Sequence, residues 1–239
     1  MAIIFDEKSR SFTLNTANTT YAMFVTEEYN LLTHLYYGER ISDGATLTYL
    51  RHNSGVGRAM TYPEVTYDDY EQKGHAKFCP HALRQEYSVF GIGDFRTPCL
   101  VGRFADGSRA IDLRYHSYKI LNGKPALEGL PSVYLNDGEK AETLVITLKD
   151  TVFELYVELY YSIIEGHDQI MRSTRIINKT GKEFFIESAL TMNLDMHKKD
   201  FDAITFYGMP NNERSVERTP LRHGKISVDS TLGSTGHFT

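Results

Sequence analysis

Residues 153–164 read "FELYVELYYSII". Phe153, Leu155, Val157, Leu159 and Tyr161 fall on one side of an extended chain, and Glu154, Glu158 and Ser162 on the other. A strand turns successive side chains to opposite faces, whereas a helix of 3.6 residues per turn would mix the two sets. The segment therefore predicts a strand with one buried face. Such a face has to be covered by a second layer. The neighbouring sequence supplies material for it. "TLVITL" at 143–148 is rich in β-branched residues, and "KDT" breaks it from the next run. "DQIMRSTRIIN" is followed by Asn178 to Gly181, a turn signal that predicts a hairpin into "KEFFIESALTMNLDM". Within that run Ile186, Leu190, Met192 and Leu194 alternate with Glu187, Thr191, Asn193 and Asp195.

Further strands are predicted in "SFTLNT", "TYAMFVTE", "LLTHLYYGERI", "CLVGRFADGSRAIDLRYHSYKI" and "KISVDST". "EYNLLTHLYYGE" has the length of a short helix, but its aromatic content and the following Gly38 favour strand and turn. No window holds a convincing helical period. Many strands with frequent turns imply an all-β fold of two stacked, mainly antiparallel sheets. The least regular part is 42–85, and a loop that long inside a compact domain is usually functional or mobile. The high tyrosine content, 16 of 239 residues, suits half-buried sheets and also suits aromatic platforms for sugars.

Charge and composition narrow the function classes. The net charge of -5 and the lack of a basic block argue against a nucleic-acid partner. No apolar run is long enough to span a membrane, and the start "MAIIFDEKSRSF" does not read as a signal peptide. Cys79 and Cys99, the only cysteines, are expected to be reduced thiols. The chain is expected to be cytoplasmic.

"EYSVFGIGDFRTP" at 86–98 is the densest chemical stretch. Gly91 and Gly93 are followed by neither a lysine nor a helix, so a phosphate loop is disfavoured. Glu86 and Asp94 are acids, but nothing in their spacing requires the separation of about 5 Å that a retaining glycosidase needs. Asp94 is better read as a turn cap or as the ion-pair partner of Arg96. The 9 histidines are scattered and read as loop or surface imidazoles, with no metal motif and no cofactor motif. His116 and Glu158 would suit an aldose epimerase only if they converged, for which the sequence gives no support. "GSTGH" at 233–237 reads as a turn.

Taken in order, "HLYYGERI", "QEYSVFGIGDFRTP", "DGS", "NGKPALEGLPSVY", "ETLVITLKD", "LYYSIIEGHDQIMRSTRIIN" and "GKISVDSTLGSTGH" resemble the amino-terminal domain of bacterial family 36 α-galactosidases over nearly the whole chain. The resemblance implies a β-supersandwich over residues 1–239, incomplete because in the family further strands and a (β/α)8 barrel follow. It implies that the catalytic aspartates lie on that barrel, so that no residue here is catalytic and the chain alone is inactive. Glu86, Gly93, Asp94 and Arg96 then belong to a structural motif. The parent enzyme would cleave terminal α-galactosides of the melibiose or raffinose type with retention.

In tetrameric family members a loop of this domain walls the active site of a neighbouring subunit, and it matches about 47–78 here. The family's Arg-Leu-Asp-Arg type sequence is replaced by Tyr49-Leu50-Arg51-His52, so its acid is missing. Arg51, His52 and Asn53 are the candidates for substrate or neighbour contact. The family's "FSLDTLPQEY" is likewise changed, to "FCPHALRQEY". Partners implied are the galactoside substrate, the missing carboxy-terminal part of the parent protein and further copies of the chain. A free-standing carbohydrate-binding module is the alternative.

Overall fold

The structure, a computed structural model, describes residues 2–27, 29–41, 47, 83–196, 200–209, 212–222 and 224–229. It falls into two compact units, Met1–Asp195 and Met196–Thr239.

The first unit holds two four-stranded antiparallel sheets and one two-stranded sheet. One large sheet is a meander of β1 (Ala2–Asp6), β2 (Ser11–Asn15), β3 (Thr19–Val25) and β4 (Leu32–Glu39). β5 (Leu100–Phe104) lies apart from it. The second large sheet is the meander β6 (Leu113–Asn122), β7 (Ala141–Asp150), β8 (Leu155–Ile164) and β9 (Ile170–Asn178). The fold is all-β, and no α-helix occurs among the described residues.

The alternation predicted for β8 sets the core. Leu155, Val157, Leu159, Tyr161 and Ile163 are buried, together with Leu144, Ile146 and Leu148 of β7. They pack in one cluster with Phe12 and Leu14 of β2 and Tyr21, Met23 and Val25 of β3. Two sheets thus share one apolar layer, the sandwich arrangement. The outer face of the first sheet carries a second, small cluster of Ala22, Phe24, Leu35 and Leu47. His34 follows Leu32 inward by alternation and Leu35 faces outward, and the register shift between Ala22 and Met23 then keeps Tyr36 with the outer cluster as well.

Several predicted boundaries shift. The Asn178 to Gly181 turn forms, with the Asn178 side chain accepting from Thr180 N at 3.0 Å. The strands it joins do not form a hairpin: β9 pairs with β8, while β10 (Phe184–Ala189) pairs with β5. β10 then stops short of the predicted run to Met196. Side chains take over its backbone groups there, with Thr174 Oγ1 donating to Thr191 O at 2.9 Å and Arg172 Nη1 to Asn193 O at 3.1 Å. No strand forms over the described part of "KISVDST". The run from Cys99 to Ile120 is broken into β5 and β6 by a turn at 105–108.

Strand β1, which pairs with β2, was not expected from the sequence. The second unit is likewise built on two unexpected strands, β11 (Asp202–Met209) and β12 (Asn212–Pro220), paired antiparallel. β12 has only one apolar residue in its interior, Val216, so periodicity misses it.

Candidate functional site

The segment 83–99 links the first sheet to β5 and runs beside β4. Glu86 N donates to Leu32 O at 3.1 Å and His34 N to Arg84 O at 2.6 Å, so the segment seals part of the β4 edge. Gly91 and Gly93 turn it, with φ of 113° and 87°, conformations that favour glycine. A Cβ on Gly91 would stand 2.5 Å from Ala110 Cα, so this position needs glycine for space as well.

Glu86 sits with its carboxylate fully buried in the core. Tyr21 of β3 donates its hydroxyl to Oε1 at 2.6 Å and to Oε2 at 2.8 Å. Tyr161 of β8 donates to Oε2 at 2.8 Å. His34 of β4 lies with Nδ1 3.0 Å from Oε1. An ionised carboxylate only accepts, so His34 carries a proton on Nδ1. Arg172 of β9 completes the set, with Nη2 3.2 Å from Oε2 and donating to Tyr161 Oη at 3.1 Å. Burial pushes the Glu86 carboxyl up, but Arg172 and the hydrogen bonds from His34 and Tyr21 outweigh it and hold it below the ordinary carboxylate value. Burial, with Glu86 adding to it, drives both tyrosine hydroxyls well above theirs.

Asp94 and Arg96 form a second knot. Asp94 accepts from Arg96 N at 3.0 Å and from Gln85 Nε2 at 2.8 Å, and pairs with Arg96 Nη2 at 2.7 Å. Arg96 also donates to Leu83 O at 2.8 Å and reaches Asp195 at 3.1 Å. Burial works against the Arg96 charge, but Asp94 and Asp195 more than restore it. Asp94 therefore serves as a turn cap and as an ion-pair partner at once.

The two acids of the motif thus point into different networks, each saturated by protein groups. Glu86 ties β3, β4, β8 and β9 to one crossing segment; Asp94 holds Arg96 within that segment, and Arg96 ties it to Asp195 in the chain after β10. Chemically the arrangement holds charge in place, and neither carboxylate faces an open space between them as a displacement reaction requires. Arg51, His52 and Asn53 lie outside the described residues, as does Cys79. Cys99 is a buried free thiol, pushed up by burial. His116 packs edge-on against Tyr156, while Glu158 takes the Tyr160 hydroxyl, so these two engage different partners.

Sequence reasoning missed Tyr21, His34, Tyr161 and Arg172 as members of one cluster. A signal exists in retrospect. Arg172 is the Cα partner of Tyr161 in the β8–β9 ladder, so it occupies an inward position on an otherwise apolar face. A lone inward charge asks for an equally buried counter-charge. His34, read as a surface imidazole, is only 4% exposed because it shares the inward side of β4 with Leu32, opposite Met23.

Comparison with known proteins gives the family. The model of the glycosyl hydrolase family 36 N-terminal domain matches residues 30–239. The chain is 38% identical over 239 residues to the bifunctional α-galactosidase/sucrose kinase AgaSK of Mediterraneibacter gnavus, covering 99% of this chain and 24% of that protein. It superposes with a TM-score of 0.84 and 31% identity on the crystal structure of the α-galactosidase AgaB from Geobacillus stearothermophilus, covering 100% of this chain and 31% of that one. AgaA of the same organism, solved in complex with raffinose, gives a TM-score of 0.80 at 32% identity, covering 95% of this chain and 30% of the other. The chain thus spans a quarter to a third of the length of these relatives. Two stacked antiparallel sheets pinned around Glu86, and a family match over most of the sequence, lead to one assignment: the chain belongs to the glycosyl hydrolase family 36 N-terminal domains.

Proposed function

We propose that the chain is the non-catalytic amino-terminal portion of a retaining α-galactosidase acting on terminal α-galactosides of the melibiose or raffinose type. The family match over residues 30–239 carries this reading. The saturated state of Glu86 and Asp94 supports it, because the acids of the most chemically dense motif are consumed as scaffolding. On this reading bond cleavage belongs to residues of a longer protein, and the domain supports assembly. The 47–78 loop, with Arg51, His52 and Asn53, walls the active site of a neighbouring copy. Phe185, Ile186, Leu190 and Met192, each more than 40% exposed, are apolar side chains in and just after β10 that the remainder of the parent protein covers.

The test compares two polypeptides on p-nitrophenyl α-galactoside and raffinose. A longer protein that carries this domain at its amino terminus is expected to hydrolyse both, and the 239-residue chain neither. Turnover by the short chain, freed of contaminating enzyme, overturns the reading. So does a folded longer protein inert towards every α-galactoside offered.

A further inference from the structure

The motif "NGKPALEGLPSVY" takes no part in either polar knot. It leaves β6 and forms one wall of a half-open cavity of about 240 Å³ over β8 and β9. Tyr160 and Ser173 are Cα partners in that ladder, as are Ser162 and Met171, and all four line the cavity. Tyr161 and Arg172, one residue along each strand, belong to the Glu86 cluster, so the floor belongs to the opposite, outer face of the sheet. Lys124, Pro125, Leu127, Pro131, Ser132 and Val133 line its other side, and it stays partly open to solvent.

That loop wall is stiffened in advance. Pro125 and Pro131 fix φ at both ends of it. Lys124 Nζ donates to Ser132 Oγ across the loop. On the floor, Ser162 and Thr143 share a hydroxyl hydrogen bond of 2.7 Å. A shaped, pre-ordered cavity costs its ligand less on binding.

The lining selects a ligand class. Proline, leucine, valine and methionine side chains give apolar walls, and Tyr160 adds a ring. Lys124 keeps N–H donors beyond the one given to Ser132, and Ser132 and Ser173 add hydroxyls. Lys124 and Ser132 already hold each other, and Ser132 also donates to Val133 O at 3.3 Å, but a pure hydrocarbon would leave the remaining Lys124 N–H groups and the Ser173 hydroxyl unmatched. An anion would have Lys124 alone, since Arg172 is committed to Glu86, Tyr161 and Asn193. A compact polyol with C–H faces and hydroxyl edges meets both demands. The volume falls below the roughly 300–1,000 Å³ of drug-sized pockets and suits one sugar ring. We infer that the cavity between the 123–133 loop and the outer face of β8–β9 binds a single hexopyranose unit, with Lys124 and Ser132 on its hydroxyls and Tyr160 against its ring. The choice of galactose as the first probe, though not the site itself, rests on the function proposed above.

The 239-residue chain is titrated with galactose, methyl α-galactoside, glucose and myo-inositol, and binding is followed by saturation-transfer NMR and amide chemical shifts. Saturable binding of at least one hexose with Kd on the order of 1 mM is expected, with shifts confined to 123–133, 160–162 and 171–173. Lys124→Ala is expected to weaken it about fivefold, and Ser173→Trp, which fills the cavity, to abolish it. A matching far-ultraviolet spectrum and thermal melt check each fold; should Ser173→Trp unfold, Lys124→Ala and the shift map decide. No saturation by any hexose up to about 50 mM, shifts elsewhere in the chain, tighter binding of inositol than of every hexose, or full affinity in both variants would overturn the inference. Because no hydrolysis is read, failure here leaves the proposed galactosidase role standing, and failure there leaves hexose binding standing.

Discussion

Glu86 shows how one buried charge can organise a sandwich. Its carboxylate collects donors from three strands and an arginine from a fourth, so no charge in the cluster is left without a partner. Removing one member leaves another uncompensated in the core. Glu86→Gln should cost about 3–5 kcal/mol, because Arg172 stays behind. Glu86→Gln combined with Arg172→Met should cost less than the sum of the two single changes, since neither partner then stands alone. Urea denaturation of the four proteins measures this, and strict additivity would show that the two groups do not couple.

The same group fixes a pH dependence. Its folded-state value lies below the unfolded value of about 4.5. The folded state therefore releases this proton more readily, and the associated stability is complete above that pH. It is lost as the pH falls through the lower folded value. The urea midpoint should fall as the pH drops below about 4.5, and fall more gently in Glu86→Gln. Equal slopes in the two proteins would place the acid sensitivity elsewhere. The residues around Glu86 were individually visible in the sequence. Their meeting was not, because they come from β3, β4, β8, β9 and a crossing segment, and only sheet stacking joins them.

At the scale of elements, period two was the readable quantity. It located β8 to within a few residues, because burial on one face leaves a pattern, while β-branched and aromatic runs bounded by turn signals located β2, β3, β7 and β9. It also predicts which substitutions matter. Leu159→Ala, on the buried face of β8, should cost about 2–5 kcal/mol. Glu154→Ala, on an exposed side chain just before β8, should change stability by about 0.5 kcal/mol or less. Chemical denaturation of both variants checks this, and similar costs would mean that the face assignment is wrong. Periodicity failed where burial was not the organising force. β12 is polar along most of its length and is held by its ladder to β11. β10 ends early because side chains from β9, rather than a strand, engage the backbone that follows. The turn at 178–181 was legible, but whether the next strand folds back on β9 or crosses to β5 depends on a distant partner.

For the molecule as a whole, the distribution of apolar surface carries the next expectation. Phe185, Ile186, Leu190 and Met192 are exposed close together in sequence. Left uncovered, exposed apolar side chains promote association. Sedimentation of the isolated 239-residue chain should show an average mass that rises above 27.3 kDa with concentration. Ile186→Lys should shift it towards the monomer. A single monomeric species up to about 100 μM would mean that these side chains need no cover. The sequence by itself determined the all-β class, the faces of the central strands and, through ordered motifs, the family, because alternation and turn chemistry are local properties written along the chain. Only the tertiary structure decided that Glu86 is a buried anchor, that His34 turns inward, that β10 leaves β9 for β5 and that the 123–133 loop walls a cavity. Each of these depends on groups far apart in sequence, and the free energy that brings them together comes from burying two sheets against each other.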